Sequence, residues 1–221
     1  MLYRISLMEI FLTFIFATIY FIVVYLTDIR KDQKLVEVYQ LFNSLTHGTF
    51  VSICSYVDIC AMIFFSKELE DKSFLTNWHY FSLFYFFNDM YWCIYNKTSL
   101  YIFHHLVCII AIIYTISIDK YYNLLSIVLF IGEVTAPLFN GVKILKKFNY
   151  KSQLLFIIFA TSFVLVRFII APLILLYIYI SISSTEKYLY LITGILILVG
   201  SVFWAKGQYS YIKKKIASRL I

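Results

Sequence analysis

Charge is scarce in this chain. Only 14% of its 221 residues are Asp, Glu, Lys or Arg, while 62% are hydrophobic and the mean hydropathy is +0.84. A soluble domain carries roughly a quarter charged residues, so the composition excludes a water-soluble globular protein and points to an integral membrane protein. Motifs for familiar chemistry are also missing. The sequence holds no glycine-rich phosphate loop and no serine elbow. Its four cysteines, Cys54, Cys60, Cys93 and Cys108, form no CxxC pair and lie inside apolar runs, so they read as small core hydrophobes.

What the chain does have is long apolar runs. Seven are long enough to cross a hydrocarbon core of roughly 30 Å, which takes about 20 helical residues: 6–26, 41–66, 78–95, 101–118, 122–140, 154–182 and 188–204. The fold class that follows is all-α and polytopic. A cleaved signal peptide competes for the first run, but that run exceeds the usual apolar length of about 7 to 15 residues, and no small-x-small site follows it. Between the runs lie polar connections at 28–40, 67–77, 96–99, 119–120, 141–153 and 183–187, with a basic tail at 208–221.

Short cytoplasmic loops retain Lys and Arg. With seven spans, five of the nineteen basic residues fall on the amino-terminal side and thirteen on the other, with Arg167 inside a span. The carboxy terminus is therefore expected in the cytosol. Asn96-Lys97-Thr98 matches a glycosylation pattern but falls on the cytosolic side, against the membrane, and is expected to be unmodified.

Ionisable side chains within such runs are costly and mark functional sites by default. At about 1.5 Å of rise per residue, Asp89 lies about 9 Å from the cytosolic hinge, His104 and His105 about 5 to 6 Å, and Glu133 about 10 Å from the cytosolic end of its run. Three helices thus present acid, imidazole and acid at a similar depth. Arg167, near mid-membrane, is expected to reach Glu133, the acid closest in depth. Adjacent residues diverge by about 100° around a helix, so only one of the two histidines can face a cavity squarely. That spacing is also wrong for two metal ligands on one face, and no metal is expected. Asp58 and His47 read as structural, and His79, at the start of its run, as an interfacial anchor. No nucleic-acid partner is expected.

The order of Asp89 in FFNDMYW, His104 and His105 in YIFHHLVC, then Glu133, Pro137 and Asn140 in GEVTAPLFNGVKIL, resembles the TLC (TRAM-LAG1-CLN8) domain family. Arg167 and Pro172 in LVRFIIAP extend the likeness, which covers roughly residues 33–215. The resemblance implies a six-helix membrane barrel around a lipid-chain cavity, with residues 1–32 adding one helix and a loop, and 216–221 ending a cytosolic tail. It also implies residence in the endoplasmic reticulum. In the ceramide synthase branch the double histidine serves acyl transfer from acyl-CoA to a sphingoid amine, and His104 and His105 match that pair. Ceramide synthases carry a His-Asp-x-Ser-Asp segment on the next helix, where this chain reads Gly132-Glu133-Val134-Thr135-Ala136-Pro137. The Glu-x-x-x-Pro form is more similar to the small TLC-domain proteins of the CLN8 branch, whose roles concern membrane lipid composition and trafficking.

Two functions are expected in consequence. One is binding or acting on membrane lipids. The alternative is acyl transfer with acyl-CoA as co-substrate and no resident cofactor, in which one histidine is general base or transient acyl carrier and Asp89 or Glu133 orients it. Arg167 and Asn140 would contact the lipid or co-substrate, and the basic stretch 141–153 could hold CoA phosphates. The topology is testable in sealed microsomes. A tag appended after Ile221 is expected to be digested by added protease, and Asn96 to carry no glycan; a protected tag or a glycan on Asn96 would reverse the orientation.

Overall fold

The computed structural model describes residues 33–65, 78–150 and 152–217. The expected first span, 6–26, lies outside the described residues. Among those described, the chain is helical with no strand: α1 (Gln33–Phe64), α2 (Trp78–Tyr95), α3 (Ser99–Ile118), α4 (Tyr122–Glu133), α5 (Ala136–Lys147), α6 (Gln153–Val164), a π-helical segment (Leu165–Ile170), α7 (Ala171–Ser181) and α8 (Lys187–Ala217). In lipid every backbone amide must find its partner within the segment, and helices meet that demand.

Among the described residues, five spans are long and apolar enough to cross a membrane: Glu37–Phe64, Ser99–Ile118, Tyr122–Lys147, Gln153–Ser181 and Lys187–Lys206. Two of these are compound, since α4 and α5 stack end to end, as do α6, the π segment and α7. The 18 residues of α2 give it about 27 Å, close to the span length, but its Tyr, Trp, His, Asn and Asp lower its apolarity.

Three helices run past the polar stretches read as loops. Helix α1 begins at Gln33 rather than 41, α5 continues through 141 to Lys147, and α8 carries on through the basic tail to Ala217. Lys, Gln and Glu are good helix formers, so charge alone does not stop a helix. Backbone geometry does. After α5 the chain turns at Asn149 (φ 61°), and the α2–α3 hinge turns at Lys97 (φ 55°).

Helix α1 packs across the junction of α4 and α5, and Gly48 permits the approach. A Cβ there would stand 3.0 Å from Ala136 Cβ and 3.2 Å from Pro137 Cδ. Helices α7 and α8 meet similarly at Gly194, where a Cβ would collide with the Leu175 side chain. Phe86, Ile112, Leu124, Leu125, Val128 and Tyr190 are buried at the centre of the bundle. Apolar side chains of α7 and α8 such as Leu173, Ile180 and Phe203 face outward, the normal condition where lipid is the solvent.

One end of the bundle is closed by a polar network. Asp58 Oδ2 accepts hydrogen bonds from Trp78 Nε1 (2.8 Å) and Ser126 Oγ (2.9 Å), and His79 Nε2 lies 3.2 Å from Ser126 Oγ. The Trp78 and His79 rings stack at 4.0 Å, and Thr115 bonds the Tyr190 hydroxyl at 2.7 Å. His79 is therefore not the interfacial anchor its sequence position suggested. It is fully buried, because Ser126 across the bundle offers it a partner. Asp58→Ala would leave buried donors without an acceptor, each costing about 1–3 kcal/mol. The thermal midpoint in detergent is expected to fall markedly, with the polar site at the opposite end unaffected.

Candidate functional site

The other end of the bundle is open. A cavity of about 870 Å³ takes wall residues from every helical rod: Ser44 on α1, Asp89 on α2, His104 on α3, Phe139 on α5, Arg167 on the π segment and Trp204 on α8 are examples. Its wall includes the hinge residues Asn96 and Thr98, together with Glu37, Lys146 and Lys147, so it reaches the bundle end at which α2 turns into α3. The half-exposed Lys147 and Glu37 form an ion pair across this mouth.

Sequence neighbours His104 and His105 leave α3 on different sides. His104 turns to α4, its Nε2 3.1 Å from Glu133 Oε1, and His105 turns back to α2, its Nε2 3.3 Å from Asp89 Oδ2. The 100° step between adjacent helical residues produces this division. His104 keeps 24% of its side chain exposed and His105 only 5%. His104 is thus the imidazole that a cavity ligand can reach, and His105 belongs to the wall. Cys93 Sγ lies 3.7 Å from His105 Nδ1, and Cys108 Sγ 3.9 Å from His104 Nε2.

Glu133 lies at a helix junction. Helix α4 ends at Glu133, Val134 and Thr135 form a turn, and α5 restarts with Pro137 in its first turn, where a missing N–H is tolerated. In the last turn of α4 the carbonyls run short of helical partners. Arg167 Nη2 donates to one of them, the carbonyl of Gly132. Arg167 therefore does not form the expected ion pair with Glu133, since a cation at a helix carboxy terminus satisfies both the free carbonyl and the helix dipole. Arg167 lies in a π-helical segment, a feature often found at functional sites. Pro172, two residues beyond, lacks the N–H that would continue the α-helical ladder there. Arg167 Nε is buried and has no partner.

Asn140 Nδ2 donates to Ser44 Oγ at 2.9 Å in the cavity wall. Lys143, within a stretch read as a loop, sits instead on α5 in the cavity. Its Nζ lies 4.0 Å from the centre of the Phe139 ring and 3.5 Å from the Tyr101 hydroxyl. The structure thus brings Asp89, His104, His105, Glu133, Arg167 and Asn140 to one cavity.

The family model described as the TLC domain matches residues 30–206, about four-fifths of the chain. The chain belongs to the TLC-domain family. Searches of curated proteins and of solved structures find no match.

In this TLC domain, His47 packs behind the cavity wall rather than lining it. It is buried, stacks on Tyr85 at 3.6 Å, and has no hydrogen-bond partner at either ring nitrogen. Phe86 lies against the rings of His47, His104 and His105 at 5.1, 6.1 and 5.4 Å. Chemically the arrangement offers one accessible imidazole oriented by a carboxylate, an enclosed second pair, and cationic groups at depth and at the mouth. Arg167→Met is expected to lower stability by about 1–3 kcal/mol by stripping the Gly132 carbonyl of its partner. Thermal unfolding in detergent would show this, and an unchanged midpoint would refute the capping role.

Proposed function

We propose that this TLC-domain protein takes a membrane lipid into the cavity, its acyl chain against the apolar wall and its polar head at His104 and Glu133, and so serves membrane lipid composition. The observation that carries the reading is the His104–Glu133 pair at 3.1 Å in the cavity wall, with 24% of the His104 side chain still exposed there. Apolar walls with a few converging polar groups are the usual makeup of a small-molecule site.

The same reading has the six described rods act as a barrel, one further span precede them, and the carboxy terminus and cavity mouth face the cytosol from the endoplasmic reticulum membrane. The charge split supports that orientation. The Glu133-x-x-x-Pro137 form supports the CLN8-like branch over the ceramide synthases.

Acyl transfer from acyl-CoA is the second reading, favoured by Lys143, Lys146 and Lys147 along the cavity wall and mouth. His104 would take the proton from the acceptor nucleophile while Glu133 orients the ring and stabilises its charged form. Proteoliposomes supplied with labelled acyl-CoA and labelled phospholipid separate the two. An acyltransferase would lose turnover by about 10²- to 10⁴-fold on His104→Ala while keeping acyl-chain binding. A lipid-binding protein would show no turnover, and the same change would alter its headgroup preference. Equal binding of every lipid by parent and variant, with no turnover, would contradict both readings.

A further inference from the structure

The Asp89–His105 pair has a third neighbour that neither reading uses. The carboxylate of Asp89, the thiol of Cys93 and the imidazole of His105 each offer one ligand atom, and these atoms all lie within 4.8 Å of one another. Asp89 and Cys93 are four residues apart on α2, the spacing that puts two ligands on one helix face. His105 comes from the adjacent helix α3. The set is split between two helices, so no single-helix ligand spacing in the sequence displays it.

We propose that Asp89, Cys93 and His105 bind a divalent ion, with zinc the favoured occupant. Zinc takes sulfur at about 2.3 Å and nitrogen or oxygen at about 2.0–2.2 Å, so donors around a tetrahedral ion stand roughly 3.3–3.8 Å apart. The closest approaches here, 3.7 Å from Cys93 Sγ to His105 Nδ1 and 3.3 Å from Asp89 Oδ2 to His105 Nε2, are already in that range. They involve opposite ring nitrogens. One nitrogen goes to the ion after a rotation of the imidazole, and the Asp89 carboxylate follows it. A thiolate, an imidazole and a carboxylate together suit zinc better than magnesium or calcium, which select oxygen.

The site is also held in place. The carbonyl of Cys93 accepts from the Thr98 amide (2.9 Å) and from Thr98 Oγ1 (3.1 Å), fixing the end of α2 against the hinge. Asp89, Cys93 and His105 all line the cavity, so the fourth coordination position faces its interior. Three protein ligands with one open position is the arrangement by which zinc receives a substrate or water. On binding, the Cys93 thiol gives its proton to solvent and becomes the thiolate ligand. His104, turned away to Glu133, is not a ligand and stays available to the cavity.

The test uses the full chain in detergent, stripped with chelator and dialysed against Zn²⁺ or Co²⁺. The expected result is one ion per chain by elemental analysis, and a thiolate-to-cobalt charge-transfer band in the Co²⁺ form. Cys93→Ala is expected to abolish the band and His105→Ala to reduce the ion content to background, while Cys54→Ala and Cys60→Ala leave both unchanged. Asp89→Asn, which preserves shape, is expected to weaken Zn²⁺ binding at least tenfold. A parent chain without a stoichiometric ion or without the cobalt band would overturn the proposal even if the alanine variants failed to fold. So would a band that survives Cys93→Ala.

Discussion

Glu133 stands where a helix stops inside the apolar layer, and much of the site depends on how that interruption is made tolerable. A break within a membrane span exposes carbonyls and amides that lipid cannot satisfy, so protein must cover them. Here α1 covers the junction closely at Gly48, and Arg167 donates to the Gly132 carbonyl. Pro137 then restarts the chain as α5. Glu133 at this junction meets His104, and Asn140 and Lys143, seven and ten residues on and so on the same side, face the same cavity. Arg167 in turn lies in a π-helical segment, so two departures from regular helix meet at one point.

The bundle separates two kinds of polarity. At the closed end, Asp58, Trp78, His79 and Ser126 are joined in short hydrogen bonds. At the open end, the pairs His104–Glu133 and Asp89–His105 and the Asn140–Ser44 bond line the cavity. A satisfied buried network rigidifies a bundle, whereas polar pairs in a cavity wall can be shared with a ligand.

Much of this was legible in the sequence, for identifiable reasons. The apolar runs announced the helices, and the shared depth of Asp89, His104 and Glu133 brought them together correctly, because depth along a helix is simple arithmetic. Rotation around a helix and the identity of cross-bundle partners are not. His79 looked interfacial because Ser126 is 47 residues away, and Arg167 looked paired with Glu133 because depth cannot distinguish a carboxylate from the backbone carbonyl beside it. Lys143 was assigned to a loop since charge was read as a helix stop. Cys93 was set aside for lacking a cysteine partner, when its neighbours are an acid on its own helix and an imidazole on the next.

The central claim is that a lipid acyl chain enters the cavity beside His104 and Glu133. Photocrosslinking measures this most directly, with a phospholipid bearing a diazirine near the end of one acyl chain, in membranes containing the protein, followed by peptide mapping. The account predicts adducts on cavity-wall residues such as Phe139, Phe163 and Trp204, suppressed by excess unlabelled lipid. Adducts confined to outward residues such as Leu173, Ile180 and Phe203, and unaffected by competitor, would contradict it.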